Sequence, residues 1–199
     1  QEKLETVMGV RAEQKEMRRL SILEKALDLF IHKGYTGTTV RDIASSLSIS
    51  PALLFHYFDS KEKILSELLS IAQEGVVMAQ LTFTQEKTPL ENFLSVAELI
   101  LTSFRTEKYS APLFVLIHQI GIFGLMPEEH REFFSHNPAY EASIPEIIRG
   151  QTDGSIRSAE PSVLALLFWS TIQGVAESCT LYGEETLPDP SWLIGMLKS

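Results

Sequence analysis

The feature that most constrains the fold of this chain is the stretch 38–61, which reads TTVRDIASSLSISPALLFHYFDSK. Thr39 is followed three positions later by Asp42, the pattern of a capping box that satisfies backbone amides at a helix start. Ser50 before Pro51 predicts a second helix start, because serine is a preferred N-cap and proline suits the first helical position. Two helix starts joined by so short a turn are typical of a helix-turn-helix.

A longer helix is predicted before this stretch, from about Arg11, with residues 1–10 as a loose lead-in. Gly34 predicts its end, because glycine readily adopts the left-handed conformation of a helix C-terminus. The basic pair Arg18 and Arg19 near its front is either a phosphate contact or a solvated face. The apolar stripe of this helix consists of Leu23, Ala26, Leu27 and Phe30.

The second short helix, from Pro51 to about Tyr57, carries rings at four consecutive positions, 55–58. Leu54 and Phe58, four residues apart, are the predicted inward pair. The rings between them are then left partly exposed. An exposed short helix with small residues at its N-terminus suits a DNA major groove. The alternative is an aromatic cluster that completes a small core.

Lys61 is predicted in the first turn of the next helix, with Asp59 or Ser60 as its cap. A cation there opposes the helix dipole by about 0.3–1 kcal/mol, whereas a helix start that carries lysine is a suitable phosphate site. We therefore expect Lys61 to contact an anionic partner. Charge is also divided unequally: the chain carries −9 overall, but residues 11–63 hold nine basic and seven acidic side chains. A small excess of this size is also ordinary.

The segment 22–69 resembles the DNA-binding domain of the TetR family of bacterial transcriptional regulators. Two positions depart from the family pattern: Ser48 stands where glycine is usual in the turn, and Phe55 stands where tyrosine is common. The matching features are Phe30, Gly34, Thr38-Thr39-Val40, Ile43-Ala44, the block 50–58 and Asp59-Ser60-Lys61-Glu62.

The resemblance implies an all-α fold with an N-terminal three-helix helix-turn-helix DNA-binding domain, residues 11–62, and a larger helical effector-binding and dimerisation domain, residues 63–199. It implies a ligand-responsive DNA-binding transcriptional regulator. The expected activity is that of a repressor released from a pseudo-palindromic operator by a small hydrophobic effector. The implied partners are double-stranded operator DNA, a second copy in a homodimer, and an effector whose identity the sequence does not specify.

The resemblance also implies a set of DNA-contact residues: Thr39, Arg41, Pro51, Ala52, Phe55, His56, Tyr57 and Lys61. The first and the last two match phosphate contacts in the family. The four from Pro51 to His56 match positions that face base edges or the sugar–phosphate wall, and Arg41 is expected at a phosphate or groove. The recognition helix offers no Arg, Asn or Gln for bidentate base contacts. We therefore expect DNA shape to contribute to specificity.

The remainder of the chain is helical in pattern. Residues 111–124 are almost wholly apolar, which indicates a helix that is buried or lines a cavity. An effector pocket is predicted there, apolar with a few polar groups, and ordinary core packing is the alternative for each of its residues. The predicted pocket residues are Phe93, Ala97, Phe104, Phe114, His118, Phe123, Phe168 and Gln173.

The last long helix is predicted from Pro161 to near Gly183, with a shorter one at 190–197. In the family the last two helices build a dimer interface, and two-fold symmetry matches paired DNA half-sites. Closure of the domain core is the alternative role of these residues. The predicted interface residues are Trp169, Ser170, Gly174, Glu177, Ser178, Trp192, Leu193 and Met196.

The sequence predicts no catalytic residue, no metal and no cofactor. There is no phosphate-binding glycine loop, and the five histidines lack metal-ligand spacing. The single cysteine, Cys179, is predicted to pack in the interior. We also expect a cytoplasmic protein with no membrane partner, because the chain has a single cysteine, a charged N-terminus and no long apolar run. A catalytic site assembled across distant helices and a protein-interaction module without DNA binding are the alternatives.

Overall fold

The computed structural model describes residues 2–199, with side chains from Glu13 onward. Within that range it is all-α with no strand, as predicted, apart from an isolated antiparallel bridge between Ile156 and Lys198. A 3-10 turn spans Glu184–Thr186. The helices are α1 Glu2–Lys33, α2 Val40–Ser46, α3 Pro51–Phe55, α4 Lys61–Thr82, α5 Pro89–Thr106, α6 Ser110–Ile122, α7 Glu128–His136, α8 Pro138–Asp153, α9 Pro161–Tyr182 and α10 Pro190–Gly195.

The chain divides into two compact units, Gln1–Leu68 and Leu69–Ser199. Helix α4 begins in the first unit and continues into the second. The first unit therefore holds α1, α2, α3 and the start of α4, and the second holds everything from the remainder of α4 onward.

The first unit is built around the predicted stripe of α1. The stripe is buried, and so are Leu54 and Phe58, the inward pair of the recognition helix. Gly34 ends α1 in the left-handed region with a φ of 82°, as its sequence position predicted. The helix already begins at Glu2 rather than near Arg11. The lead-in expected to be loose is therefore helical from Glu2, and Gln1 lies outside the described residues.

The core of the second unit is centred on aromatic rings from α5 and α9. Phe93 and Phe168 meet edge to face with 4.9 Å between ring centroids, a favourable arrangement for aromatic pairs. Helix α5 starts in a complete capping box between Thr88 and Glu91, with Pro89 in its first turn. Local signals therefore set where this helix begins, and the apolar faces set where it packs.

A buried polar network crosses the second unit. Glu146 of α8 is only 3% exposed and accepts hydrogen bonds from Asn92 (2.8 Å) and Arg149 (2.6 Å). The same Arg149 nitrogen donates to the backbone carbonyl of Lys87 at 2.7 Å. Asn92 exchanges two further hydrogen bonds with the backbone of Thr84. The network thus ties the loop between α4 and α5 to α8.

Two parts of the second unit are more exposed than the sequence pattern predicted. The middle of α6 is buried, but Phe123 at its C-terminal end is 71% exposed. The apolar pattern of α9 predicts that Leu167 faces the interior together with Leu164 and Phe168, but Leu167 is half exposed. Helices α4 and α9 are long and apolar enough to cross a membrane. Length and composition alone do not distinguish them from the core helices of water-soluble proteins.

Candidate nucleic-acid interface

The capping box at the start of α2 forms as predicted. The Thr39 hydroxyl accepts a hydrogen bond from the Asp42 amide, while both the Thr39 amide and its hydroxyl donate to the Asp42 carboxylate at 2.8 and 2.7 Å. Lys33 pairs with the same carboxylate oxygen at 2.7 Å. Lys33 and then Thr39 hold the pKa of Asp42 well below its usual range. Both donors of Thr39, a predicted phosphate contact, are therefore already in use.

The turn between α2 and α3 keeps a backbone conformation that favours glycine, although Ser48 occupies it. This serine has a φ of 54°, in the left-handed region where a side chain normally carries a conformational penalty and glycine does not. The chain then enters α3 through Ser50, whose hydroxyl oxygen accepts from the Leu53 amide at 3.1 Å. The turn therefore keeps the geometry that glycine usually provides, at some expense in backbone strain.

The residues predicted to face the DNA bases, Pro51, Ala52, Phe55 and His56, form the reading face of α3, and this face is exposed to solvent. Pro51, Ala52 and His56 are exposed, and the Phe55 side chain is 48% exposed. Tyr57 is half-buried and meets the edge of the His56 ring at a centroid distance of 5.5 Å. A large exposed aromatic on so short a helix has little structural purpose, because burial would stabilise it. This surface is available for a partner.

Lys61 occupies the first position of α4, as predicted, but it has partners within the protein. Its ammonium donates to the backbone carbonyls of Tyr35 and Thr38, both at 2.9 Å, and lies 4.2 Å from the centroid of the Tyr35 ring. The Tyr35 hydroxyl donates to Glu62 at 3.4 Å. Burial, with Glu62 nearby, raises the pKa of Tyr35 to about 12. The charge of Lys61 is thus accounted for without an anionic partner.

Arg19 is likewise engaged internally. Its guanidinium forms an ion pair with Glu67 of α4 and lies 5.5 Å from the centroid of the Phe58 ring. Burial raises the pKa of Glu67 despite this pairing. Arg19 therefore has a structural contact in addition to the two roles considered for it, a phosphate contact or a solvated face. Arg19 joins α1 to α4 behind the recognition helix. Arg18 and Arg41 are exposed.

The predicted effector residues do not share one environment. Phe93, Ala97, Phe104 and Phe168 are packed in the core. Phe114 is half-buried and meets Phe104 edge to face at 5.3 Å. These five residues all lie in the hydrophobic core of the second unit or pack against it, which agrees with the core-packing alternative.

The two predicted polar groups lie elsewhere, on the surface shared by α6 and α9. His118 Nδ1 and Gln173 Nε2 are each 3.0 Å from Oε1 of Glu177. The hydrogen bond from Gln173, and then the pairing with His118, lower the pKa of Glu177. Both ends of the His118–Glu177 pair are substantially exposed. His118 and Gln173 thus share Glu177 as a partner rather than facing the buried rings, and Phe123 is exposed.

The predicted dimer residues also divide. Ser170 and Gly174 are exposed on α9, and Trp192 of α10 is 74% exposed. Leu193, in contrast, is 2% exposed and belongs to the core of its own unit. Trp169 is half-buried and donates its indole N–H to Ser143 at 3.3 Å. The half-buried residues of this set are Trp169, Glu177, Ser178 and Met196.

The structure shows surface residues of α9 that the sequence reading missed. Val163, Leu166 and Leu167 are exposed in its first half, and they continue along the helix to Ser170 and Gly174. Spacing of three or four residues places them on one face, and this is the signal that could have found them. An open groove of about 500 Å³ adjoins this face, lined in part by Gly174, Ser178, Trp192 and Leu193.

Residues 13–199 contain no group of three or more His, Cys, Asp or Glu side chains that could hold a metal ion. Cys179 is half-buried, and burial raises the pKa of its thiol. A raised pKa lowers the fraction of reactive thiolate, so the cysteine is placed for packing.

Comparison with known proteins identifies the chain. Residues 22–68 match the family model described as bacterial regulatory proteins, tetR family. The HTH-type transcriptional repressor KstR2 of Rhodococcus jostii (strain RHA1) is 46% identical over 153 residues, which cover 76% of this chain and 74% of that protein. The chain belongs to the TetR family.

Solved structures of TetR-family regulators share this fold. PfmR from Thermus thermophilus superposes with a TM-score of 0.64 at 26% identity, over 88% of this chain and 93% of that one. A regulator of the tetR family from Rhodococcus RHA1 gives 0.67 at 20% identity, over 90% and 96%. The chain is therefore a DNA-binding transcriptional regulator. Regulators of this family are not enzymes, bind operator DNA and act as dimers.

Proposed function

We propose that this TetR-family regulator is a repressor that binds a pseudo-palindromic operator as a homodimer and is released by a small hydrophobic effector. The observation that carries the proposal is the exposed face of α3, held in place by two side-chain caps. Ligand-responsive repression is typical of the family, and the relative KstR2 is named as a transcriptional repressor. We infer that residues 11–62 act as the DNA-binding domain, and residues 63–199 as the effector-binding and dimerisation domain, of a cytoplasmic protein.

In the proposed complex, α3 enters the major groove. Pro51, Ala52, Phe55 and His56 face the base edges or the sugar–phosphate wall, and the Phe55 ring can pack on a thymine methyl group. His56 can donate a hydrogen bond to a base acceptor or a phosphate. Hydrocarbon contacts and a single imidazole discriminate bases weakly, so sequence-dependent DNA shape carries much of the specificity.

The phosphate contacts proposed for Thr39, Arg41, Tyr57 and Lys61 differ in how available their donors are. Arg41 is exposed in the first turn of α2. Lys61 retains one N–H of its ammonium after its two carbonyl hydrogen bonds. Thr39 has to exchange its hydrogen bond to Asp42 for one to a phosphate. Of Arg41, Lys61 and Thr39, Arg41 is therefore the contact that requires the least rearrangement of the protein.

The effector is proposed to enter the aromatic interior of the second unit, among Phe93, Ala97, Phe104, Phe114 and Phe168. Adjacent rings there are in edge-to-face contact at 4.9–5.3 Å, so a ligand has to separate them. A ligand that binds only the opened arrangement shifts the protein toward it. If that arrangement binds DNA less well, effector and operator weaken each other's binding by the same factor.

The dimer is proposed to form through the exposed face of α9. Its apolar first half and the small residues Ser170 and Gly174 allow a second helix to approach closely. Ile148 of α8, which packs beside α9, is also half exposed. An apolar patch of this kind on a soluble protein commonly marks an interface.

The test is an electrophoretic shift at fixed salt with DNA from upstream of the protein's own locus. We expect a complex of two protein chains per operator that survives excess unrelated DNA, with a log K that falls as log salt rises. A scrambled operator of equal length and base composition is the control. Equal affinity for both DNAs would remove the claim of sequence-specific repression.

A further inference from the structure

We propose that Lys61 is a positioning residue that fastens the turn between α1 and α2 to the start of α4. Each of its two hydrogen bonds reaches a backbone carbonyl more than twenty positions earlier in the chain, at Tyr35 and Thr38. The bonds are both 2.9 Å long, and the Tyr35 ring lies beneath the ammonium. This role goes beyond a phosphate contact, because it operates in the protein without DNA.

The fastened turn leads directly into the helix-turn-helix. Thr38 is buried, and its hydroxyl donates to the Gly34 carbonyl at 2.8 Å, which closes the turn on the end of α1. The next residue, Thr39, is the N-cap of α2. Lys61 therefore acts on α2 through two consecutive residues, and α2 in turn packs on α3. A displacement of the first turn of α4 is passed to the cap of α2 by this route.

The geometry also resolves why a cation stands at a helix N-terminus. The helix dipole opposes a positive charge at this end, yet two carbonyl oxygens and the face of an aromatic ring are directed at the ammonium. Hydrogen bonds from a charged donor are stronger than neutral ones, and a cation over a ring gains further. These contacts offset the unfavourable position, and their loss would leave two carbonyls of the turn without this donor.

Lys63 provides a matched control. It lies two residues further along the same turn of α4 and is exposed, and removing it deletes the same charge. Lys61→Met and Lys63→Met thus differ in the carbonyl contacts that only Lys61 makes to Tyr35 and Thr38. Lys61→Gln is a milder variant whose shorter side chain carries no charge and cannot reach both carbonyls.

The experiment is amide hydrogen exchange of the free protein, with residues 38–43 compared against residues 22–30 of α1. In Lys61→Met we expect amide exchange of residues 38–43 to become at least about tenfold faster. A hydrogen bond from a charged donor changes the equilibrium constant for local opening by about that factor or more. The α1 segment should change less, which separates positioning of the turn from a general loss of stability. Lys63→Met should match the wild type in both segments.

Exchange of residues 38–43 that is the same in Lys61→Met and Lys63→Met would overturn the proposal. If Lys61→Met does not fold, Lys61→Gln decides: a smaller acceleration confined to residues 38–43 supports it, and wild-type exchange there overturns it. None of these measurements uses DNA. An operator-binding assay that failed with the wild-type protein would therefore count against the proposed function and leave this inference standing.

Discussion

Each unit uses a cation on a later helix to hold an earlier loop through backbone carbonyls, but the two arrangements differ. Lys61 in the first unit contacts two carbonyls and a ring. Arg149 in the second contacts the Lys87 carbonyl together with a buried carboxylate, Glu146. Glu146 is buried while Arg149 is partly exposed, and removing the partner of a buried carboxylate leaves an uncompensated charge in the interior. The contacts of Lys61 in the first unit can therefore change without leaving a buried charge unpaired. The contacts of Glu146 in the second unit depend on the complete network.

The largest expected effect tests the network in the second unit. Glu146→Ala should lower the free energy of unfolding by about 3 kcal/mol, because the Arg149 guanidinium and the Asn92 amide lose a buried acceptor. Urea unfolding followed by tryptophan fluorescence reports on this unit, since both tryptophans, Trp169 and Trp192, lie in it. Glu141→Ala on the same helix is the control, and its exposed pairing with His136 contributes little. Equal losses for the two variants would remove the distinction between the units.

The second test asks whether the exposed face of α9 serves association rather than DNA. Leu167→Glu should weaken the dimer by about 100-fold, since a charge at the centre of an apolar interface removes a principal contact and is desolvated. Sedimentation analysis over a dilution series measures this. Leu99→Glu, at an exposed leucine of α5, should leave the dimer intact. A Leu167→Glu protein that dimerises as the wild type does would place the interface elsewhere.

The third test separates the exposed aromatics of the two units. Phe55→Ala should reduce operator affinity about tenfold, the effect of losing one well-packed interface side chain. Phe123→Ala makes the same chemical change at an even more exposed position of the second unit and should leave affinity unchanged. Titration of labelled operator at one salt concentration gives both values. If the two variants bound the operator with equal affinity, Phe55 would not belong to the reading face.

The fourth test compares two non-glycine residues with positive φ, Ser48 (54°) in the first unit and Asn137 (39°) in the second. Ser48→Gly should stabilise the protein by about 0.5–1 kcal/mol, because glycine adopts this conformation without a side-chain penalty. Asn137→Gly should not stabilise it, because the Asn137 side chain also caps α8 through the Tyr140 amide. Thermal unfolding by circular dichroism measures both. If Asn137→Gly stabilised the protein as much as Ser48→Gly does, the Asn137 cap would contribute nothing to stability.

The smallest effect concerns the two capping boxes in acid. Lys33 and Thr39 lower the pKa of Asp42, and Thr88 lowers the pKa of Glu91. A lowered folded-state pKa stabilises the protein above the unfolded pKa, about 4 for these groups, and this stabilisation is lost as pH falls through the folded value. In Asp42→Asn, helix content should therefore fall less steeply than in the wild type between about pH 5 and about pH 2, a range that spans the unfolded pKa. Circular dichroism measures the helix content. Glu91→Gln should flatten this fall less, because the ion pair with Lys33 is particular to Asp42; the reverse order would contradict this assignment.

The start of the helix-turn-helix could be read from sequence because its signals are local. Thr39 and Asp42 are three residues apart, and Ser50 adjoins Pro51. A side-chain cap forms once the first turn of the neighbouring helix has formed. The inward pair Leu54 and Phe58 followed from helical spacing in the same way, although α3 itself ends at Phe55. Such contacts depend on dihedral angles within one turn, so no knowledge of the remaining chain was needed.

The roles of individual side chains in the second unit were less accessible. Leu167 and Phe168 are adjacent and both apolar, yet one is half exposed and the other buried. Composition cannot choose between them, because the buried side of a helix is decided by the helices that pack on it. The same limit applied to His118, whose hydrogen-bond partner Glu177 is 59 positions away.

The sequence by itself determined the fold class, the caps of α2 and α3, and the family to which the chain is similar, because these rest on short-range geometry and on a specific run of residues. Only the tertiary structure decided what Lys61 and Arg19 contact. Their partners, Tyr35, Thr38 and Glu67, lie far from them in sequence, and a charge is satisfied by whatever the fold brings within hydrogen-bonding distance. A lysine that looked placed for phosphate is held first by its own protein.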